Sequence, residues 1–478
     1  MNGTGMDENP LDLLPEVLLA ASAVLGLLLG AWLPRRRQWL VGALGLAACA
    51  AGIAAALRQG AAAAGGGTTT AFDGAFAVDA VTSAGRVVIL AGALVVLLLG
   101  FAPLRGDARE SEFHVLVQLA ALGALMLAGA QDLLLLAAAY LLASVPSYTL
   151  AGFRKDAPGT EAALKYFVTG ALLGVVMLAG ITVLYAAGRA SAYPALGDEL
   201  PGAPAVLVTA GTVGLLAGPL FKTGAVPGHF WVPDAVDGAG LPAAALLTTL
   251  PKVGALAALY RLAAVPLAGT RVPWDELVAV LAAASMTLGN LAAFFQTDVK
   301  RLLAYSTISQ VGYLLLPVAV ATRADEAQQA LLFYLAGYAL TNLGAFAVVC
   351  ALPHARALAD YRGLLRARPA LALSLVVCLL GFLGTPPTAV FLGKLAVFTA
   401  AVDGGYAWLA VLAAVNSVAS LFYYLRWIRP AVAAAAEPRR HPVVRSAALT
   451  AYATAAASVA LGVTAGPVLD LLGGPLAG

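Results

Sequence analysis

Long apolar runs follow one another along almost the whole chain, separated by short segments that carry charged residues, proline or glycine. A helix needs about 20 apolar residues to cross the hydrocarbon core of a bilayer. The pattern therefore predicts an all-α, polytopic membrane protein with about fourteen transmembrane helices. Their expected bounds are 11–33, 38–57, 77–102, 113–130, 132–152, 161–187, 204–230, 242–264, 274–296, 301–321, 327–352, 370–400, 405–428 and 446–470.

The composition supports this class. Of 478 residues, 61% are hydrophobic and 11% are charged, whereas a soluble domain is about 45–50% apolar and about 25% charged. This balance excludes a soluble enzyme. Cys49, Cys350 and Cys378 lie far apart in apolar runs, so they predict neither a metal site nor a disulfide framework. With no glycine-rich phosphate loop either, we expect no cofactor and no metal in this chain, and no nucleic-acid partner.

The distribution of basic residues predicts the orientation. If both termini face outward, the cytoplasmic loops hold 18 of the 28 lysines and arginines, and the outer loops hold four, Arg58, Arg189, Arg271 and Arg323. Basic residues accumulate in cytoplasmic loops. We therefore expect a multi-pass protein of the bacterial plasma membrane, in contact with the lipid bilayer, with both termini on the outer side.

Three lysines, Lys222, Lys252 and Lys394, lie inside apolar runs where no carboxylate is at the same depth. A charge at such a depth costs at least ~2.5–3.5 kcal/mol, and its usual role is in an ion or proton path. The runs 204–230 and 370–400 each combine glycines and prolines with one of these lysines. They are five spans apart and enter the membrane from opposite sides, as broken helices do in the inverted repeats of transporters. The alternative is a pair of proline-kinked packing helices.

Other polar residues fit ordinary structural roles. Tyr305 and Tyr313 are expected to pack between helices, and Arg86 to be structural. Three histidines lie at span edges or in basic loops, and we interpret them as surface residues. They are His114, His354 and His441.

Several motifs, in this order and spacing, resemble those of the subunit N family of NADH-quinone oxidoreductase (respiratory complex I), one of the antiporter-like membrane subunits. The matching stretches cover most of the chain. They are LLPE at 13–16, EAALKYF at 161–167, FK at 221–222, PGHFWVPD at 227–234, LPK at 250–252, NLAA at 290–293, KRLLAYS at 300–306, QVGY at 310–313, TNLGAF at 341–346, GTPPT at 384–388 and FLGK at 391–394.

The resemblance implies fourteen helices with two inverted five-helix repeats. The implied domains are helices 1–3 (1–112), the first repeat (113–266), the second repeat (267–430) and a C-terminal helix (431–478). It also implies a proton channel in an enzyme complex whose other membrane subunits are partners, with NADH and quinone bound only by partner subunits.

The resemblance also assigns roles to residues at matching positions. Lys222 would switch protons in the first half-channel, Lys252 would link the two halves, and Lys394 would serve the exit side. His229 and Lys165 would be accessory polar groups. Lys165 lies only four residues into its span. The simpler interpretation is therefore that its side chain reaches the cytoplasmic edge of the membrane.

One position departs from the family pattern. The resemblance implies a glutamate in span 5 that pairs with the span-7 lysine, but the matching position holds Leu141. Asp132 lies nine residues earlier, about 13.5 Å along a helix, and cannot replace it. An adjacent carboxylate favours a protonated lysine and burial alone disfavours it. We therefore expect Lys222 to be neutral, or hydrated by a cavity, more of the time than in a typical family member.

Two other functions stay open at this point. The chain could belong to a multi-subunit cation/proton antiporter or a membrane-bound hydrogenase, which share the fold. It could also be a divergent structural paralogue that does not pump, because the glutamate is absent.

Overall fold

The computed structural model describes residues 9–65, 67–434 and 442–477. Nearly all of this part of the chain is helical. The helices are α1 Leu14–Trp32, α2 Trp39–Ala64, α3 Ala80–Leu104, α4 Glu110–Gly129, α5 Leu133–Ala151, α6 Ala157–Gly188, α7 Tyr193–Glu199, α8 Ala205–Thr223, α9 Trp231–Gly238, α10 Leu241–Ala264, α11 Trp274–Ala293, α12 Val299–Ala319, α13 Ala327–Ala351, α14 Leu364–Ala367, α15 Pro369–Leu383, α16 Ala389–Asp403, α17 Ala407–Val432, α18 Arg445–Val463 and α19 Ala465–Leu472.

Thirteen elements of this part are long and apolar enough to cross a membrane. The predicted all-α, multi-pass class is confirmed, and the difference from fourteen has one cause. The predicted span 370–400 is not a continuous helix but the two short helices α15 and α16, joined by residues 384–388. The predicted span 204–230 is likewise cut short: α8 ends at Thr223, and the short helix α9 follows after a loop.

The two interrupted helices end in the same way. Gly224 follows α8 with φ 77°, and Gly384 follows α15 with φ 87°. Glycine adopts this left-handed conformation without steric cost and is the usual residue after a helix. The next residue in each loop, Ala225 or Thr385, donates its N–H to a carbonyl of the last helical turn, at 3.0 and 3.1 Å. Both breaks are therefore built by local sequence, and both leave terminal carbonyls free.

The centre of the bundle is formed by α10, α12 and α13, whose side chains are buried along almost their whole lengths. The other helices surround them, with α6 and α8 packed together on one side and α11 and α17 on the other. A short antiparallel hairpin, β1 Thr69–Ala71 and β2 Phe76–Val78, connects α2 to α3. The predicted repeat boundaries remain predictions.

Two buried ion pairs join α3 to α1 and to α10. Arg86 on α3 donates two hydrogen bonds to Glu16 on α1, at 2.7 and 2.8 Å. Arg261 at the end of α10 donates two to Asp79, which caps α3, at 2.7 and 2.9 Å. Although burial would raise the pKa of Asp79, Arg261 holds the pKa of this carboxyl below its ordinary value. The structural role expected for Arg86 is in agreement with this arrangement.

The surface interpretation of the histidines was wrong for His114. Its side chain is fully buried on α4, beside the rings of Phe101 and Phe113, because α4 packs inside the first three helices. His354 is exposed, as predicted. His441 lies outside the described residues.

Candidate functional site

Lys222 lies in the last turn of α8 and is fully buried. Its Nζ atom has no hydrogen-bond partner in the part of the chain that the structure describes. Instead it faces three tyrosine rings, with ring centres 5.2 Å away for Tyr140 and 5.7 Å away for Tyr148 and Tyr166. Its surroundings are therefore aromatic rather than ionic.

Lys252 lies at the middle of α10 and is also fully buried. Its Nζ donates a 2.6 Å hydrogen bond to the carbonyl oxygen of Thr223, the last residue of α8. This carbonyl has no partner within its helix and lies at the negative end of the helix dipole. The break in α8 therefore provides the acceptor for Lys252. It also provides the space, since a Cβ atom on Gly224 would lie 3.0 Å from Lys252 Nζ.

Lys394, on α16, repeats this arrangement at the second break. Its Nζ donates to the carbonyl of Leu383, the last residue of α15, at 3.2 Å, and to Ser417 Oγ on α17 at 2.9 Å. The ring centre of Tyr313 lies 4.1 Å from the same Nζ. A Cβ atom on Gly384 would lie 3.0 Å from the Lys394 side chain. Both interrupted helices thus end against a buried lysine.

Two separate groups of hydrogen-bonded side chains lie between Lys252 and Lys394, one around Tyr338 and one around Gln310. Tyr338 Oη on α13 donates to the carbonyl of Thr248, one turn before Lys252, at 2.8 Å, and lies 3.2 Å from the Thr307 hydroxyl on α12. One turn along α12, Gln310 accepts from Tyr334 Oη at 2.5 Å and donates to a carbonyl in the last turn of α15 at 3.0 Å.

The two accessory residues lie apart from this core. Lys165 is half exposed and forms ion pairs with Glu161 at 2.7 Å and Asp234 at 2.8 Å. This position agrees with the expected side chain at the membrane edge. His229 lies in the loop after α8, half-buried against the ring of Phe230. Burial lowers the pKa of His229 below its ordinary value, with a smaller opposite effect from the Pro227 backbone.

A cavity of about 460 Å³ opens among the loops that the basic-residue pattern places at the cytoplasmic side. Arg154, Lys300 and Arg356 line it, together with apolar residues at the starts of α10 and α12. Lys300 donates to the carbonyls of Asp237 and Ala239, at 2.5 and 2.8 Å. The cavity therefore reaches the N-terminal ends of the central helices α10 and α12.

The residues that sequence reasoning missed are mainly aromatic. Tyr140 and Tyr148 carried no signal, and Tyr313 was expected only to pack, although its ring is the nearest to Lys394. An aromatic residue inside an apolar run looks the same whether it packs or faces a cation. The buried lysines predicted from the sequence were the one signal that pointed to a search for neighbouring tyrosines.

Position 141 is occupied by leucine on the outer side of α5. The Leu141 side chain is 52% exposed, whereas the neighbouring Tyr140 is buried and faces Lys222. No ion pair with a carboxylate is formed by Lys222, Lys252 or Lys394 among the described residues.

Comparison with solved structures identifies the class. The chain superposes on a chain of the Mrp complex from Dietzia sp. with a TM-score of 0.85 over 97% of this chain and 96% of that chain, at 21% identity, which shows the fold. It superposes on a chain of respiratory complex I from Thermus thermophilus with a TM-score of 0.82, at 35% identity, over 96% and 99% of the two chains. The protein therefore has the fold of these helical membrane subunits.

Sequence relatives narrow this class. The family model described as NADH:quinone oxidoreductase/Mrp antiporter, transmembrane, matches residues 130–420. NADH-quinone oxidoreductase subunit N 1 of Streptomyces griseus is 50% identical, covering 98% of this chain and 99% of that protein. Subunit N of Mycobacterium sp. is also 50% identical, covering 97% and 98%. The chain belongs to the family of NADH-quinone oxidoreductase subunit N, as its motifs predicted.

Proposed function

We propose that this chain is the proton-translocating membrane subunit of a bacterial NADH-quinone oxidoreductase of the complex I type. It contributes to the enzyme as a subunit and carries no redox cofactor of its own. NADH and quinone bind only to partner subunits. The chain lies in the plasma membrane with both termini on the outer side.

The observation that carries this proposal is the placement of the three lysines. Lys222, Lys252 and Lys394 are buried, and the last two are held by carbonyls at the ends of the interrupted helices. Ionisable residues at membrane depth serve ion or proton paths, and discontinuous helices surround such paths in transporters.

The geometry suggests how a signal reaches more than one lysine. Lys222 and the acceptor carbonyl of Lys252 belong to consecutive residues at the end of α8. A small movement of this helix end, imposed by a neighbouring subunit, therefore changes the surroundings of both lysines together. Two groups of hydrogen-bonded side chains, around Tyr338 and around Gln310, occupy the space between Lys252 and Lys394.

The test is Lys252→Met in the assembled complex, because methionine keeps much of the side-chain length without the charge. NADH-driven proton uptake and NADH oxidation are measured in inverted membrane vesicles. We expect fewer protons pumped per NADH oxidised. Lys155→Asn is the matched control: this lysine is exposed in a loop with φ 57°, a conformation that asparagine tolerates.

Other outcomes would contradict the proposal. An unchanged ratio of protons to NADH would support a structural spacer. Sodium/proton exchange in the absence of NADH that is lost in Lys252→Met would support a cation/proton antiporter, and hydrogen-dependent pumping would support a hydrogenase.

A further inference from the structure

The surroundings of Lys222 differ from those of the other two buried lysines. Lys252 and Lys394 each donate to at least one oxygen atom, whereas Lys222 Nζ reaches none among the described residues. A buried ammonium without any compensating contact is strongly disfavoured. The contacts that remain to Lys222 Nζ are the faces of Tyr140, Tyr148 and Tyr166.

Three tyrosine rings from two helices meet at this point. Tyr140 and Tyr148 are two turns apart on α5, and Tyr166 faces them from α6. All three ring centres lie within 5.7 Å of Lys222 Nζ, inside the range of about 6 Å over which a ring face attracts a cation. Aromatic cages of this kind hold substituted ammonium groups elsewhere.

The rings are held in place by further aromatic contacts. Tyr166 stacks on Trp231 with ring centres 4.0 Å apart, and meets Tyr148 edge-to-face at 4.7 Å. The hydroxyl of Tyr140 donates to the carbonyl of Gly170 at 3.2 Å. The cage is therefore preorganised and does not depend on the lysine for its shape.

The stack also links two lysines. Trp231, on the far side of Tyr166, has its ring centre 5.8 Å from Lys252 Nζ. Its Nε1 donates to the carbonyl of Phe221 at 3.0 Å, which ties it to the end of α8. A movement of the end of α8 relative to α5 therefore changes the distance between Lys222 and the rings of Tyr140 and Tyr148.

We propose that Tyr140, Tyr148 and Tyr166 form an aromatic cage that holds the ammonium form of Lys222 through their ring faces. They are positioning residues for Lys222, and this assignment rests on the proposed proton-translocating function. The cage compensates for the absence of a carboxylate and releases the lysine when the end of α8 moves.

The experiment varies the electron density on the ring face at position 140 and leaves the shape of the ring nearly unchanged. Tyr140→Phe is the reference, and phenylalanine analogues with one, two and three ring fluorines are then introduced at the same position in the complete complex. Fluorine withdraws electron density from the ring face and weakens its attraction for a cation. We expect a stepwise decrease in the rate of NADH-driven proton pumping per assembled complex, reaching about threefold with three fluorines.

The same series at position 361 is the control. Tyr361 is buried and meets Trp427 edge-to-face, and its ring faces no cation in the described part of the chain. We expect a flat response there. A flat response at position 140, or an equal decrease at both positions, would overturn the cage.

Lys222→Met separates this proposal from the proposed function. If Lys222→Met lowers pumping while the fluorine series at 140 is flat, the cage is wrong and the proposed function stands. If Lys222→Met and Lys252→Met both leave pumping unchanged, both proposals are wrong.

Discussion

In the first interrupted helix, α8, a buried lysine lies in the last turn before the break, whereas in the second, α15, the lysine lies beyond the break, on α16. The breaks themselves are alike: each has a left-handed glycine and a terminal carbonyl that accepts a hydrogen bond from a buried lysine. What surrounds the lysine differs. Three ring faces surround Lys222, while Lys394 donates to a carbonyl and a serine and also lies over one ring.

This difference has a chemical consequence. A ring face attracts a cation but does not accept its proton, whereas a hydroxyl accepts one proton and donates another. Ser417, which accepts from Lys394, donates in turn to Tyr313 Oη at 3.3 Å. The geometry therefore suits Lys222 for holding a charge that responds to movement, and Lys394 for passing a proton on.

The largest expected effect is the loss of pumping when the aromatic ring at position 140 is removed. A carboxylate introduced at position 141 then tests whether an ion pair can replace the ring. Tyr140→Leu should slow proton pumping about fivefold, the factor equivalent to a cation–π contact of about 1 kcal/mol. Adding Leu141→Glu should recover much of this loss, because an adjacent carboxylate favours the charged lysine. Pumping rates in inverted vesicles measure both steps.

The matched variant is Tyr140→Leu with Leu141→Gln, which has the same length and no charge. Equal recovery with glutamate and glutamine would show that size matters at this position rather than charge. No recovery with glutamate would show that the half-exposed position 141 is turned too far from Lys222.

A smaller loss of pumping is expected from Ser417→Ala, next to Lys394 at the second break. This change removes one of the two hydrogen-bond acceptors of Lys394. Hydrogen bonds to charged groups contribute about 1.5–3 kcal/mol, but the Leu383 carbonyl and the Tyr313 ring remain. We therefore expect pumping to be reduced by less than in Lys394→Met, with NADH oxidation measured in the same vesicles.

Ser420→Ala is the control one turn away on α17. Its hydroxyl donates to the backbone carbonyl of Ser417 at 2.7 Å, and among the described residues it makes no hydrogen bond to Lys394, so its loss should leave pumping unchanged. Equal effects of the two serine changes would mean that packing of α17, rather than the contact with Lys394, controls the rate.

Much of this architecture could be predicted from the sequence, because apolar length and glycine–proline punctuation are local properties. The positions of Lys222, Lys252 and Lys394 and the existence of two breaks follow from such local patterns. The end of α8 at Thr223 could not be predicted in this way, because residues up to 230 are apolar enough to continue a span.

The cage could not be predicted for a different reason. Tyr140 and Lys222 are on different helices and about 80 residues apart, and nothing in either segment specifies their contact. His114 shows the same limit: its place at a span edge suggested a surface position, but the packing of α4 against its neighbours decided its burial.

The smallest expected effect concerns His229, in the loop between the first break and α9. Burial lowers the pKa of His229 in the folded protein, so the unfolded chain binds a proton more readily as the pH falls through about 6.5. Stability is therefore lost on acidification, and the sign is opposite to that of a histidine paired with a carboxylate. His229→Gln should remove this loss and raise the unfolding temperature of the purified complex at pH 5.5 relative to wild type by about 1 °C, with no difference at pH 8. His354→Gln, at an exposed histidine, should show no such pH-dependent gain. A gain of the same size at pH 8 would mean that glutamine improves the loop by packing, and His229 would then have no part in the pH response of the first break.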